Sequence, residues 1–114
     1  MLSIAGNPLS APTVLAPLSG ITLRPFRRLM RRISGPHLGL VVAPLVSIEG
    51  IHRGVQAVTA LARVHEEERP AAVQLFGADP ARMAAAALLA QEVGADFIDI
   101  NAGCPAPKVK RSGG

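Results

Sequence analysis

At 114 residues the chain has room for one domain with a modest core. A hydrophobic fraction of 49% against 18% charged residues excludes a disordered chain. No apolar run reaches the ~18 residues of a membrane span, and no basic stretch precedes a long apolar one at the N-terminus, so no secretory leader is read. The net charge of +4 and pI ≈ 10.6 suit a polyanionic partner, although an Arg- and Ala-rich composition reaches them without one. With no Trp or Tyr and three Phe, base stacking on exposed aromatics is not expected. The single cysteine, Cys104, cannot form an internal disulfide, which points to a reducing cytoplasm. No metal-ligand spacing links it to the three histidines, so no metal is expected. No oligomeric state is assigned.

Residues 1–12, with Gly6, Pro8 and Pro12, read as a poorly ordered or lightly docked arm, and 13–114 as the folded unit. Thr13–Ala16 is a short buried strand ended by Pro17. Thr22 can cap a helix, and Pro25 fits its first turn. Leu23, Phe26, Met30 and Ile33 then form its apolar face, and Gly35-Pro36 ends it. Arg24, Arg27, Arg28, Arg31 and Arg32 fall on the other face, either as a solvated outer surface or as an RNA-backbone contact.

Leu38–Ala43 is a second strand without alternation, as suits a parallel strand covered on both faces. Pro44–Gly54 reads as a long loop and Val55–Val64 as a weakly patterned helix with a polar exit at His65–Arg69. His52 and His65 read as surface histidines. Ala71–Phe76 is a third strand closed by Gly77. Asp79 caps the next helix with Pro80 at its first position, and Gly94 stops it. Phe97–Ile100 is the fourth strand.

Strands alternating with helices imply right-handed crossovers and a parallel sheet. The spacing predicts an α/β fold, the N-terminal part of a (β/α)₈ TIM barrel with about three and a half βα units, against the usual ~250 residues. A small flavodoxin-like open sheet is the alternative, but Leu18-Ser19-Gly20-Ile21 is a poor phosphate loop for one.

A parallel barrel places its chemistry at the C-terminal ends of its strands. Those ends carry Ala16-Pro17-Leu18, Ala43-Pro44-Leu45, Gln74 with Gly77, and Asn101 with Cys104. Two carboxamides and a thiol suit a heterocycle, since each amide both donates and accepts hydrogen bonds. Cys104 could act as nucleophile or as proton donor. A thiol with a reference pKa of about 8.5 is protonated near neutral pH, and the sequence places no histidine beside it as a base, which favours the acid. A buried packing role suits a Gly-Cys-Pro turn poorly. Lys108, Lys110 and Arg111 follow, as contacts to an anionic substrate or as a solubilising loop.

These residues resemble the tRNA-dihydrouridine synthases, flavin-dependent barrel enzymes. Leu15-Ala16-Pro17-Leu18-Ser19-Gly20-Ile21-Thr22, with Pro25-Phe26-Arg27, looks like the family's opening motif. Gln74-Leu75-Phe76-Gly77 with Asp79-Pro80 is similar to its third-strand motif, and Asp99-Ile100-Asn101-Ala102-Gly103-Cys104-Pro105 to its signature, continued by Lys108-Val109 and Gly113. The resemblance implies FMN across the strand ends, contacted by Ala16, Pro17, Leu18 and Gln74, and NADPH as its reductant. It implies a uridine flipped from tRNA near Asn101, hydride delivery to uracil C6, and protonation of C5 by Cys104. Lys108 and Arg111 would meet the substrate. Ala43-Pro44-Leu45 departs from the family's usual Ser-Glu-Met, which removes an expected loop contact. The family's later barrel strands and its helical tRNA-binding domain have no counterpart here, so the expected unit is truncated after its fourth strand. A flavin barrel acting on a free pyrimidine is the second reading, and an inactive fragment with residual polyanion affinity the third.

Overall fold

The computed structural model describes residues 2–104 and Arg111. Four parallel strands, β3 (Val14–Leu15), β4 (Leu40–Ser47), β5 (Ala71–Phe76) and β6 (Phe97–Ile100), lie side by side in chain order. Helices α1 (Arg24–Ser34), α2 (Ile48–His52), α3 (Gln56–Leu61) and α4 (Pro80–Glu92) occupy the connections. A two-stranded hairpin, β1 (Ser3–Ile4) with β2 (Asn7–Pro8), precedes them. This is the N-terminal part of a (β/α)₈ barrel.

The strands alternate between two apolar faces. Val41, Ala43, Val73, Leu75 and Ile98 pack outward against helix residues that include Met30, Ala86 and Ala90. Leu40, Val42 and Ala72 face the opposite side with Phe97, and Leu9 inserts there at 2% exposure. The arm, expected to be poorly ordered or lightly docked, is a hairpin whose following residue plugs the inner face. Proline and glycine signals marked its turns, but nothing local in the sequence shows that Leu9 has a hydrophobic seat.

The expected loop from Pro44 is also absent. Strand β4 continues through it, with Ala43 opposite Val73 and Val46 opposite Leu75, so one extra residue sits on the β4 side as a bulge. Proline lacks an N–H to give to the ladder and is tolerated at such a site. Ser47 then caps α2, its hydroxyl accepting from the Gly50 N–H at 3.2 Å. The helix expected over Val55–Val64 is shorter, at Gln56–Leu61. Helix α4 starts and stops as its signals require: the Asp79 carboxylate accepts from the Arg82 N–H at 3.0 Å. Gly94, at φ +114°, passes so close to Val64 that an added Cβ would sit 2.5 Å from its carbonyl oxygen.

The α1 arginines divide: Arg24, Arg28 and Arg32 are exposed, as a solvated face requires, whereas Arg27 is buried and Arg31 half-buried in protein contacts. Arg27 and Glu68 are both buried. Arg27 donates from Nε to Glu68 Oε1 at 2.7 Å and from Nη1 to the Thr22 carbonyl at 2.7 Å. The second Glu68 oxygen accepts from the His65 N–H at 2.7 Å. Arg31 donates to the carbonyls of Glu68 at 2.9 Å, of Pro70 at 2.6 Å, and of Leu38. Arg24 and Arg28 share Glu67, each at 3.0 Å. The helix is thus held by ionic contacts to the segment before β5, while Ile33, expected on the apolar face, is 71% exposed. Thr22 does not cap α1. Leu23 holds that position, and the Thr22 hydroxyl accepts from the Leu18 N–H at 2.8 Å, closing the turn after β3.

At the start of β6, Asp96 accepts from the Ala71 N–H at 2.9 Å and from Arg69 Nε at 3.0 Å. Burial pushes the Asp96 carboxyl up, but the Arg69 and Ala71 hydrogen bonds outweigh it and hold it below the ordinary carboxylate range.

Two outcomes follow from these contacts. Glu68→Ala leaves the Arg27 guanidinium buried without its counter-charge and should lower unfolding free energy by about 3–5 kcal/mol in urea titrations; a change under about 1 kcal/mol would mean that Arg27 is solvated in the folded chain. A carboxyl with a lower pKa folded than unfolded stabilises above its unfolded value and loses that contribution as pH falls through the folded one. Stability should therefore drop below about pH 4, and Asp96→Asn should flatten part of that acid limb when urea midpoints are compared from pH 7 to pH 3.

Candidate active site

The C-terminal ends of β5 and β6 bring three polar side chains together on the inner face. Register places Gln74 directly across from Asp99. Alternation puts Asp99 and Asn101 on the same face as Phe97. Gln74 is 8% exposed, and its Nε2 donates to Asp99 Oδ2 at 2.6 Å. Its Oε1 accepts from Asn101 Nδ2 at 3.4 Å, the longest contact of the set. Asn101 Oδ1 in turn accepts from the backbone N–H groups of Gly103 and Cys104, each at 3.1 Å. That last pair is an Asx turn: the side chain stands in for a backbone carbonyl and folds the chain just past the strand. Cys104 is half-buried at its tip.

Gly77, at φ +148°, ends β5 beside this cluster. An added Cβ would lie 2.3 Å from the Ile48 side chain, so only glycine lets α2 approach here.

The sequence-predicted residues separate into two groups. Gln74, Asn101 and Cys104 share one hydrogen-bonded cluster. Ala16, Pro17 and Leu18 follow β3, which lies on the far side of β4 from Gln74. Their loop is shaped by Thr22, with Leu18 48% exposed. Ala43-Pro44-Leu45 is a bulge within a strand and not a strand exit. Arg111 is exposed, and Lys108 lies outside the described residues. Asp99 shares the inner face with Asn101 by period-two alternation, but its place in the cluster shows only in the amide it meets across the strand.

Two surface hollows lie elsewhere. One of about 310 Å³ sits between α2 and α4, lined by Ile51, His52, Asp79 and Arg82. Arg82 is engaged there by Glu49, at 2.6 Å, which holds its pKa above the ordinary value. The other, of about 540 Å³, runs along α4 and β6 past Leu88, Phe97 and Ile98. Neither is lined by Gln74, Asn101 or Cys104. Among the described residues no cluster of three metal-ligating side chains occurs, and no helix is long and apolar enough to cross a membrane.

A parallel α/β sheet whose strands run in strict chain order, with a polar cluster at their C-terminal ends, is the arrangement of consecutive strands in a (β/α)₈ barrel. Residues 14–114 match the model of the dihydrouridine synthase (Dus) family, and the chain belongs to that family. It is 43% identical over 97 residues to tRNA-dihydrouridine synthase B of Pseudomonas aeruginosa, covering 84% of this chain and 28% of that protein. It is 38% identical over 110 residues to a probable tRNA-dihydrouridine synthase of Rickettsia typhi, covering 96% and 33%. A probable tRNA-dihydrouridine synthase of Mycobacterium tuberculosis is 36% identical over 118 residues, covering 99% and 30%. The chain spans about a third of the length of these curated relatives.

The Asx turn yields a direct outcome. Asn101→Ala removes the acceptor of two backbone N–H groups, so amide exchange at Gly103 and Cys104 should accelerate by about tenfold, while Val73 and Leu75 in β5 stay protected. Unchanged exchange at both would show that the turn does not depend on the side chain.

Proposed function

We propose that this chain carries the cysteine-bearing strand exits of a flavin-dependent tRNA-dihydrouridine synthase, in which uridine in tRNA is reduced to 5,6-dihydrouridine. The observation that supports the reading most is the Asx turn in which Asn101 holds the Gly103 and Cys104 N–H groups while its own amide meets the buried Gln74 of the neighbouring strand. The names borne by the relatives point the same way.

FMN is the group this chemistry calls for, and the strand exits fit part of it. Small residues at Ala16 and Pro17 leave room for a flat ring, and Gln74 and Asn101 present amide groups that can meet its heteroatoms. When bound and reduced by NADPH, FMN supplies the hydride for uracil C6. The rest falls to the chain's own groups. Asn101 orients the pyrimidine by hydrogen bonds and at the same time shapes the loop that follows. Cys104 gives its thiol proton to C5, which completes addition across the 5,6 bond. Its half-buried position suits a donor that must meet substrate without open access to water. A free thiol also suits a reducing cytoplasm.

The tRNA contact is assigned to Lys108 and Arg111, after the cysteine, and not to α1. Four of the five α1 arginines already have protein partners.

Cys104→Ala should leave protein-bound flavin absorbance intact and lower NADPH-driven dihydrouridine formation in unmodified tRNA by at least about 10²-fold. Full activity in that variant would remove the proton-donor role. Turnover of free uracil or orotate by the unaltered chain, with none of tRNA, would move the protein to the free-pyrimidine class.

A further inference from the structure

We infer that Asp99 is a positioning residue that sets the hydrogen-bonding sense of the whole strand-exit cluster, from Gln74 through Asn101 to the backbone of Cys104. The inference deepens the reading above, because it concerns how that same site is held ready.

The argument rests on which groups can donate. An ionised carboxylate only accepts hydrogen bonds, whereas an amide can turn either its oxygen or its NH₂ toward a neighbour. Asp99 therefore obliges Gln74 to present Nε2, as it does at 2.6 Å. With Nε2 committed, Gln74 turns Oε1 to Asn101, and Asn101 must answer with Nδ2 at 3.4 Å. Asn101 is then left with Oδ1 facing the Gly103 and Cys104 N–H groups, both fixed donors, at 3.1 Å. An acceptor-only group closes one end of the relay and donor-only groups close the other, and the two ends demand the same orientation of both amides. A flipped Gln74 would set its oxygen against the Asp99 carboxylate.

Two consequences follow for the site. Each amide spends one N–H inside the relay and keeps a second, so the cluster offers donors to whatever ring lies over it. Its complement is the carbonyl-bearing edge of a heterocycle. Also, the loop holding Cys104 is registered to β5 as well as to β6, since its hydrogen bonds run through Gln74 to the neighbouring strand.

The test uses amide exchange in the ligand-free chain. Asp99→Ala should speed exchange at Gly103 and Cys104 by about tenfold, with Val73 and Leu75 unaffected. Gln74→Glu alone faces one carboxylate with another and should do the same. Combining Gln74→Glu with Asp99→Asn restores a donor at position 99 and an acceptor at position 74 toward Asn101. The double variant should therefore return to within about threefold of the unaltered chain, a rescue that a merely space-filling role would not give. Exchange unchanged in Asp99→Ala, or a double variant as fast as Gln74→Glu alone, would overturn the inference. If Asp99→Ala fails to fold, the two position-74 variants decide the matter, and a Gln74→Glu chain that folds only with Asp99→Asn supports it. Because no ligand is present, a chain that shows the relay but binds no FMN counts against the flavin reading alone.

Discussion

The buried Arg27–Glu68 pair is the contact on which the rest of this structure is arranged. A guanidinium and a carboxylate taken out of water are tolerable only when every donor and acceptor finds a partner. Here Glu68 also receives the His65 N–H, and Arg27 also reaches the Thr22 carbonyl. Thr22 in turn closes the turn that carries Ala16–Leu18 away from β3. One ion pair thus ties a strand exit, the first helix and the approach to β5 into a single rigid corner.

A second polar pattern runs along the β5–β6 seam. Asp96 sits where β6 begins and receives the Ala71 N–H, while Asp99, near its end, receives the Gln74 amide. Between them the seam is apolar, with Val73 opposite Ile98. Carboxylates at both ends of a short strand pin its register. A one-residue slip would leave both without donors and would turn Asn101 to the helix-covered face.

The parts of this fold that were legible in the sequence are those decided locally. Strand β5 reads as a continuous apolar run, and α4 is bounded by an Asp79 cap and a Gly94 stop that act within one turn. Gln74 and Asn101 could be singled out because polar residues ending apolar strands stand out. The illegible parts depend on distant partners. Whether an arginine on α1 is solvated or buried is decided by Glu68, forty-one residues further on. Leu9 finds its seat only once β4 and β5 lie side by side. Pro44 reads as a strand end until the neighbouring register shows that a bulge absorbs it. Asp99 escaped for a different reason: as a charge between two isoleucines it resembles a solvated residue, and only the cross-strand amide gives it a purpose.

The strict chain order of the sheet bears on how the protein is made. Each strand pairs with the one before it in the sequence, so a polypeptide emerging N-terminus first can lay down the sheet without waiting for distant segments. Its locks, however, lie one unit ahead of what they secure. Helix α1 is fastened by Glu68, from the next connection, and the start of β5 by Asp96, just before the following strand. The contacts that fasten α1 and the start of β5 therefore become available only once a later part of the chain has been made.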